Sequence, residues 1–128
     1  MLFNLKLLLI VIFSCTNSLA QSKPSTYKDL IVATWVVKGE SSNERLVFKS
    51  NGEVDSYEDN QIVDTYSWVI EESINNGVIS IYLELENTQN PSDEYNYEIS
   101  ALTDELLVLI FMRKNNMGIG KPITYIRQ

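Results

Sequence analysis

Carboxylates are the side chains of this sequence with the clearest capacity for chemistry. The 128 residues include 17 acidic side chains, no histidine and one cysteine, so no Ser-His-Asp triad, Cys-His pair or usual zinc set can be assembled. Asp55, Glu58, Asp59 and Asp64 lie close together in the sequence, and paired carboxylates can transfer protons or hold calcium. Their spacing matches no calcium loop and favours a solvated acidic hairpin. We therefore predict a protein that is not an enzyme and has no metal or cofactor.

Aromatic side chains are the second candidate for a functional role. Trp68, Tyr66, Tyr95, Tyr97 and Tyr125 fall on predicted strands whose inward faces could line a cavity. Tyrosine hydroxyls in such a cavity would orient the polar end of a ligand. In the alternative arrangement the core is solid, and the same rings fill its volume while their hydroxyls reach the rim. We take these five residues as the candidate ligand-binding set.

The net charge restricts the classes of partner. The formal net charge is −7 at pH 7, and such a surface repels phosphates and anionic lipid headgroups. Nucleic-acid binding and peripheral membrane binding are disfavoured, because both usually need a basic stripe. The expected partner is a small hydrophobic ligand, with no nucleic acid, and the sequence identifies no protein partner.

Short strands and tight turns must position these residues. The predicted strands are 34–40, 44–50, 53–59, 62–70, 78–86, 95–100, 105–113 and 122–128. Asn51-Gly52 joins the second strand to the third, and this dipeptide is typical of a two-residue type I′ hairpin turn. In segment 78–86 apolar and polar residues alternate, which indicates a half-buried strand.

Two further segments need a choice between helix and strand. Segment 105–113 is apolar on both faces, which fits a buried helix or a central strand. Its β-branched and aromatic residues and its short flanking turns favour the strand. One helical turn is predicted at 27–31.

The order of the elements predicts the fold class. About eight consecutive strands joined by short turns, with no long crossover, are typical of an antiparallel up-and-down barrel. A two-sheet sandwich is the alternative, although Greek-key sandwiches need longer connections. A barrel of about eight strands is filled by side chains or holds one small ligand.

The residues Ala33-Thr34-Trp35, the Asn51-Gly52 hairpin, the segment 67–70 and the late leucine-rich strand resemble the small bacterial lipocalin-like domains, which have a calycin-type β-barrel. In lipocalins a Gly-x-Trp motif begins the first strand, and here Ala33 stands in place of the glycine. The resemblance implies that Trp35 caps one end of the barrel and that Arg127, from the last strand, lies over it.

The same resemblance implies a function. It predicts an exported binding module for a small hydrophobic or amphipathic molecule. The disulfide and C-terminal helix of larger lipocalins are not predicted in this chain, and fold alone is a weak guide to function. The alternative is a non-enzymatic envelope structural or protein-interaction module with a solid core.

The first twenty residues resemble a secretory signal peptide. Lys6 is their only charge, residues 7–14 form an apolar run, and Ser18-Leu19-Ala20 supplies a small-x-small cleavage site. The run is shorter than the ~20 residues that span a bilayer. We predict cleavage after Ala20, a mobile leader at 21–26, the barrel domain at 27–128, and a periplasmic or extracellular protein without membrane insertion.

An alternative route of export involves Cys15. The sequence Ile12-Phe13-Ser14-Cys15 partly resembles the lipobox of bacterial lipoproteins, in which the cysteine is lipidated and becomes the first residue. Phe13 departs from the small or aliphatic residue that is usual at that position. On this route the protein would stay anchored to a membrane through Cys15.

Overall fold

Eight antiparallel strands close into an up-and-down barrel in the computed structural model, which describes residues 26–112 and 120–128. One short helix, α1, spans Tyr27–Ile31. The strands are β1 Thr34–Val37, β2 Arg45–Phe48, β3 Glu53–Glu58, β4 Gln61–Asn75, β5 Val78–Asn87, β6 Glu94–Leu102, β7 Leu106–Phe111 and β8 Ile123–Arg127. The predicted barrel and the predicted helical turn are confirmed. The proposed signal segment 1–20, with Cys15, and residues 21–25 of the leader lie outside the described residues.

Pairing of the first and last strands closes the barrel. Trp35, Val36 and Val37 of β1 are register partners of Arg127, Ile126 and Tyr125 of β8. This pairing rules out the two-sheet sandwich and leaves neither strand with an open edge along that stretch. The apolar segment 105–113 contains β7, which pairs with both β6 and β8, so the prediction of a central strand is confirmed.

The two ends of the barrel are covered differently. The helix end carries α1 and the turns that join β2 to β3 and β6 to β7. The loop end carries the connections that join β1 to β2, β3 to β4 and β5 to β6. The largest wholly buried side chains include Trp35, Phe48, Ile31, Leu83 and Leu107, and Ile31 brings α1 into this core. No helix of the described residues is long and apolar enough to span a membrane.

The turn at Asn51-Gly52 differs from the prediction. Gly52 has a φ of 87°, whereas the φ of Asn51 is not positive. A type I′ turn needs positive φ at both positions. The Gly52 N–H donates to the Lys49 carbonyl at 3.2 Å. The prediction of a type I′ turn here is therefore wrong, and the geometry is that of a wider turn ending on a left-handed glycine.

Two other turns have the conformation predicted for Asn51-Gly52. Asp59 and Asn60 have φ values of 50° and 62°, and Asn76 and Gly77 have values of 52° and 77°. Each pair lies between two strand residues that are register partners. These are the two-residue connections with positive φ that match the twist of a hairpin.

The hairpin of β4 and β5 is longer than predicted. β3 pairs with β4 only as far as Ser67, and β6 pairs with β5 only from Tyr82 onward. The remainder of the hairpin projects past the barrel at the helix end as a two-stranded arm. Ile74, Val78 and Ile79 near its tip are 72%, 64% and 59% exposed.

Candidate ligand-binding site

Strand register directs the four candidate tyrosines into the barrel. Tyr97 is the register partner of the wholly buried Leu83, and Tyr125 is the partner of the wholly buried Leu107. Tyr66 pairs with buried Val54, and Tyr95 pairs with buried Leu85. Register partners lie on the same face of a sheet. All four rings therefore belong to the inner face.

Aromatic contacts connect three of these tyrosines. The ring centroids of Tyr66 and Tyr95 are 5.8 Å apart with an interplanar angle of 81°. Phe111 lies between the two tyrosines of β6, at 6.3 Å from Tyr95 and 5.6 Å from Tyr97. Sequence reasoning missed Phe111, although its spacing of two from Leu109 and four from Leu107 places it on the inner face of β7.

The hydroxyls of Tyr97 and Tyr125 have no hydrogen-bond partner among the described residues. Burial, with the neighbouring Tyr97 and Glu40, raises the pKa of Tyr125 to about 12. Burial and the neighbouring Tyr95 raise the pKa of Tyr97. No protein group bonds to either phenol in the described part of the chain. Every wholly buried side-chain polar atom of the described residues does have a hydrogen-bond partner. Both hydroxyls are therefore accessible to solvent.

A cleft at the loop end leads to Tyr125. Its volume is about 130 Å³, and Val37, Leu46, Ser56 and Tyr125 contribute to its lining. β1 and β2 have only two register pairs, Thr34 with Val47 and Trp35 with Leu46. The two strands therefore separate toward the loop end, and the cleft lies where they do.

A buried asparagine organises the opposite side of the loop end. Asn87 is 8% exposed, and its Nδ2 donates to Asp64 Oδ1 at 3.1 Å and to Asp93 Oδ2 at 3.5 Å. Its Oδ1 accepts hydrogen bonds from the backbone N–H groups of Gln89 and Asn90 at 3.0 and 3.3 Å. One side chain thus holds the loop that follows β5 and two carboxylates.

Asp64 and Asp93 help to raise the pKa values of the adjacent tyrosines. Burial, together with Asp64, Tyr95 and Asp93, raises the pKa of Tyr66 to about 12. Interaction with Asp93, as a hydrogen-bond acceptor and as a charge, raises the pKa of Tyr95. We name Tyr66, Tyr95, Asp64 and Asp93 the acidic corner. Sequence reasoning did not identify Asn87 or Asp93 as part of a site.

The predicted acidic hairpin is divided between two environments. Glu58 and Asp59 are exposed, as a solvated hairpin requires. Asp55 is only 7% exposed; it forms an ion pair with Lys49 at 3.1 Å and accepts a hydrogen bond from the Thr65 hydroxyl at 2.8 Å. The prediction of a solvated side chain is therefore wrong for Asp55. The Lys49 cation and the Thr65 hydroxyl compensate the burial of its charge. The described residues contain no group of three or more acidic or other metal-binding side chains suited to a metal.

Trp68 does not join the tyrosines. Its indole N–H donates to the carbonyls of Lys49 and Glu53, at 3.2 and 3.1 Å, beside the turn between β2 and β3. Its ring packs edge-on against Phe48 with centroids 5.9 Å apart. Trp68 therefore fastens the helix end, and its polar atom is already occupied.

The structure brings Trp35 and Arg127 next to each other. They are register partners on β1 and β8. Trp35 is wholly buried, and its indole N–H donates to the Ile31 carbonyl at 2.9 Å. The Arg127 guanidinium donates to the Asp104 carbonyl at 3.3 Å. Trp35 thus ties α1 to the barrel and closes the helix end, with Arg127 beside it.

Alkaline titration is expected to separate the buried phenols from ordinary tyrosines. The phenols of Tyr66 and Tyr125 should ionise near pH 12 in the folded protein, against about 10 in the unfolded chain. Because folding raises these pKa values, their stabilising contribution is complete below pH ~10 and is lost as pH rises toward ~12. Phenolate absorbance should show this late component, and Tyr125→Phe should reduce it. Complete ionisation near pH 10 in a folded sample would contradict the described burial.

Known proteins supply no further assignment of this site. Comparison of the chain with protein-family models, with curated proteins and with solved structures finds no match. The chain is an eight-stranded antiparallel barrel whose loop end is lined by tyrosines.

Proposed function

We propose that this barrel binds a small hydrophobic or amphipathic molecule in the half of its interior that faces the loop end. The observation that carries the proposal is the group of inward-facing tyrosines 66, 95, 97 and 125 together with Phe111. Their rings offer apolar contact area, and their hydroxyls offer fixed polar contacts at the same place. That combination is common in sites for small organic ligands.

Two hydroxyls are available for polar contacts with a ligand. The hydroxyls of Tyr97 and Tyr125 have no hydrogen-bond partner among the described residues, so a ligand could bond to either without displacing a protein group. A ligand hydroxyl or amine would replace the solvent at these groups. The volume of the cleft, about 130 Å³, is below the ~300–1,000 Å³ of typical ligand pockets. We therefore expect a ligand at the small end of the range.

The proposal also covers the class of protein to which the chain belongs and its cellular location. The protein is a lipocalin-like binding module of the small bacterial type, in which Trp35 and Arg127 belong to the closed end and catalysis has no part. Residues 1–20 direct its export, and release by cleavage after Ala20 is preferred to anchoring through Cys15. Support for export comes from the sequence pattern of residues 1–20.

Removal of the two hydroxyls tests the proposal with 1-octanol as the probe. We expect 1-octanol to bind the wild-type protein with a stoichiometry of one by isothermal titration calorimetry. Tyr97→Phe combined with Tyr125→Phe should weaken this binding about tenfold, since a hydrogen bond contributes ~0.5–1.5 kcal/mol. The rings remain in both substitutions, so the barrel should keep its circular dichroism spectrum.

A matched control removes a tyrosine hydroxyl from the outer face. Tyr82 adjoins the inward-facing Leu83 in β5 and so points outward. Tyr82→Phe should leave the affinity for 1-octanol unchanged. Absence of saturable binding to the wild type, or equal weakening by Tyr82→Phe, would count against a site at the loop end.

A further inference from the structure

We infer that the ligand enters and leaves the barrel end-on through the cleft between β1 and β2, and that it is therefore a narrow, unbranched amphiphile. This inference rests on the proposed function, and it specifies the route to that site and the shape of the ligand. The route passes through the wall of the barrel, between two neighbouring strands, and ends at Tyr125.

The pairing of β1 with β2 stops before the loop end. Trp35 with Leu46 is the last register pair of these strands in that direction, and continuation of the register would next join the backbones of Val37 and Glu44. The Val37 carbonyl instead accepts from the Glu40 N–H at 2.9 Å, within the connection that follows β1. β1 continues along β8, and β2 continues along β3. The wall of the barrel therefore has a gap at this place.

Hydrogen bonds from the β3–β4 turn hold β2 away from β1. The Asn60 backbone N–H donates to the Asn43 carbonyl at 3.2 Å, and Asn60 Nδ2 donates to Asn43 Oδ1 at 3.0 Å. The Arg45 guanidinium donates to Asn60 Oδ1 at 2.8 Å and to the Ser42 carbonyl at 3.2 Å. The same guanidinium stacks 3.9 Å over the Tyr57 ring of β3. The gap is thus built into the fold, because the start of β2 is attached to the β3–β4 hairpin.

The cleft extends through the wall, from the outer face to the interior. Its lining includes Arg45 and Tyr57, which are register partners on the outer face, and Val37, Leu46 and Tyr125 on the inner face. Val37 and Leu46 are half-buried, so the sides of the passage are apolar. The Tyr125 hydroxyl offers a polar contact at its inner end. This order of groups suits a chain that carries one small polar end.

The size of the cleft restricts the shape of the ligand. Its volume is about 130 Å³, so an alkyl chain can pass end-on, whereas a compact ring needs a wider gap. Widening the gap would break the pairing of Trp35 with Leu46. Trp35 is wholly buried and bonded to the Ile31 carbonyl, and it opposes such a separation. An unbranched chain avoids this cost.

Reversible blockage of the cleft tests the route. Glu44 is exposed and lines the cleft. Glu44→Cys, combined with Cys15→Ser to remove the single natural cysteine, can be modified with benzyl methanethiosulfonate and restored with dithiothreitol. Modification should slow the exchange of 1-octanol about tenfold or more. The Kd should stay nearly unchanged, because association and dissociation use the same route. Relaxation dispersion of the ¹³C-labelled Tyr97 ring measures the exchange rate.

A matched control places the same adduct on another part of the barrel. Glu84 lies on the outer face of β5 and is exposed, so Glu84→Cys in the Cys15→Ser background accepts the same reagent. The modified control should exchange 1-octanol at the rate of the unmodified protein. Equal slowing in both modified variants would mean that the adduct acts nonspecifically, and it would overturn the route.

A cyclic alcohol tests the shape of the ligand. Cyclooctanol has the eight carbons and the hydroxyl of 1-octanol in a wider molecule. In the unmodified protein we expect cyclooctanol to exchange about tenfold more slowly than 1-octanol, because the strands must separate to admit it. Equal exchange rates for the two alcohols would contradict end-on entry through a narrow gap.

The outcomes separate this inference from the proposed function. If 1-octanol binds and modification of the Glu44→Cys variant leaves its exchange rate unchanged, the ligand enters elsewhere and the proposed function stands. If slowing appears on modification and disappears on reduction with dithiothreitol, the route is supported. If 1-octanol does not bind the unmodified protein, both the inference and the proposed function fail.

Discussion

Trp35→Ala is expected to lower the free energy of unfolding by about 3–5 kcal/mol. Trp35 is wholly buried at the helix end, and its indole N–H donates to the Ile31 carbonyl. The substitution leaves a large cavity among Ile31, Phe48 and the neighbouring strands, and it releases α1 from the barrel. Urea denaturation followed by far-ultraviolet circular dichroism measures the loss.

Two controls separate volume, hydrogen bonding and nonspecific effects at Trp35. Trp35→Phe keeps an aromatic ring but removes the donor to Ile31, so it should cost less than Trp35→Ala, about 1–3 kcal/mol. Val69→Ala alters a half-exposed side chain of β4 and should change the stability by about 0.5 kcal/mol or less. A loss below ~1.5 kcal/mol for Trp35→Ala would mean that Trp35 does not close the barrel.

Asn87→Ala is expected to lower the free energy of unfolding by about 2–4 kcal/mol. The substitution removes the acceptor of the Gln89 and Asn90 N–H groups and the donor to Asp64 and Asp93. The loop after β5 would lose its attachment to Asp64 of β4 and keep the two hydrogen bonds from Thr88 to the Thr65 carbonyl. The same denaturation experiment measures the loss.

The variant Asn87→Asp distinguishes the donor role from the acceptor role. It keeps the acceptor for Gln89 and Asn90 but places a third carboxylate against Asp64 and Asp93. Like charges raise the folded-state pKa of the new carboxyl group, so the variant should gain stability relative to wild type as pH falls. Asn90→Ala, an exposed change in the same loop, should have little effect. Equal stability of Asn87→Ala and Asn90→Ala would contradict the role assigned to Asn87.

Local sequence patterns predicted the strands and their inward faces. The alternation of apolar and polar residues in 78–86 places Leu83 and Leu85 on the inner face of β5. The same alternation places Tyr95 and Tyr97 on the inner face of β6. Turn chemistry was less decisive, because Asn-Gly occurs twice with different results. At Asn76-Gly77 both residues have positive φ, whereas at Asn51-Gly52 only the glycine does. Pairing of Lys49 with the Glu53 carbonyl widens the first turn, and that pairing depends on the whole hairpin.

The acidic corner could not be predicted in the same way. Asn87 and Asp64 are 23 residues apart in the sequence, and only the register of β4 with β5 brings them together. The sequence places Asp64 and Asp55 in one acidic group, yet the two side chains lie in different environments. Asp55 is paired with Lys49, whereas Asp64 adjoins Tyr66. Sequence proximity of like residues therefore predicts less about a site than strand register does.

Nuclear magnetic resonance of protein with ¹³C-labelled tyrosine and tryptophan rings tests the central claim most directly. The sample is titrated with 1-octanol, and each ring signal is followed to saturation. Binding in the loop-end half predicts saturable shifts for Tyr66, Tyr95, Tyr97 and Tyr125, with Tyr82 and Trp35 nearly unchanged. Shifts confined to Tyr82 or Trp68, or no saturable shift, would contradict a ligand site among the inward-facing tyrosines.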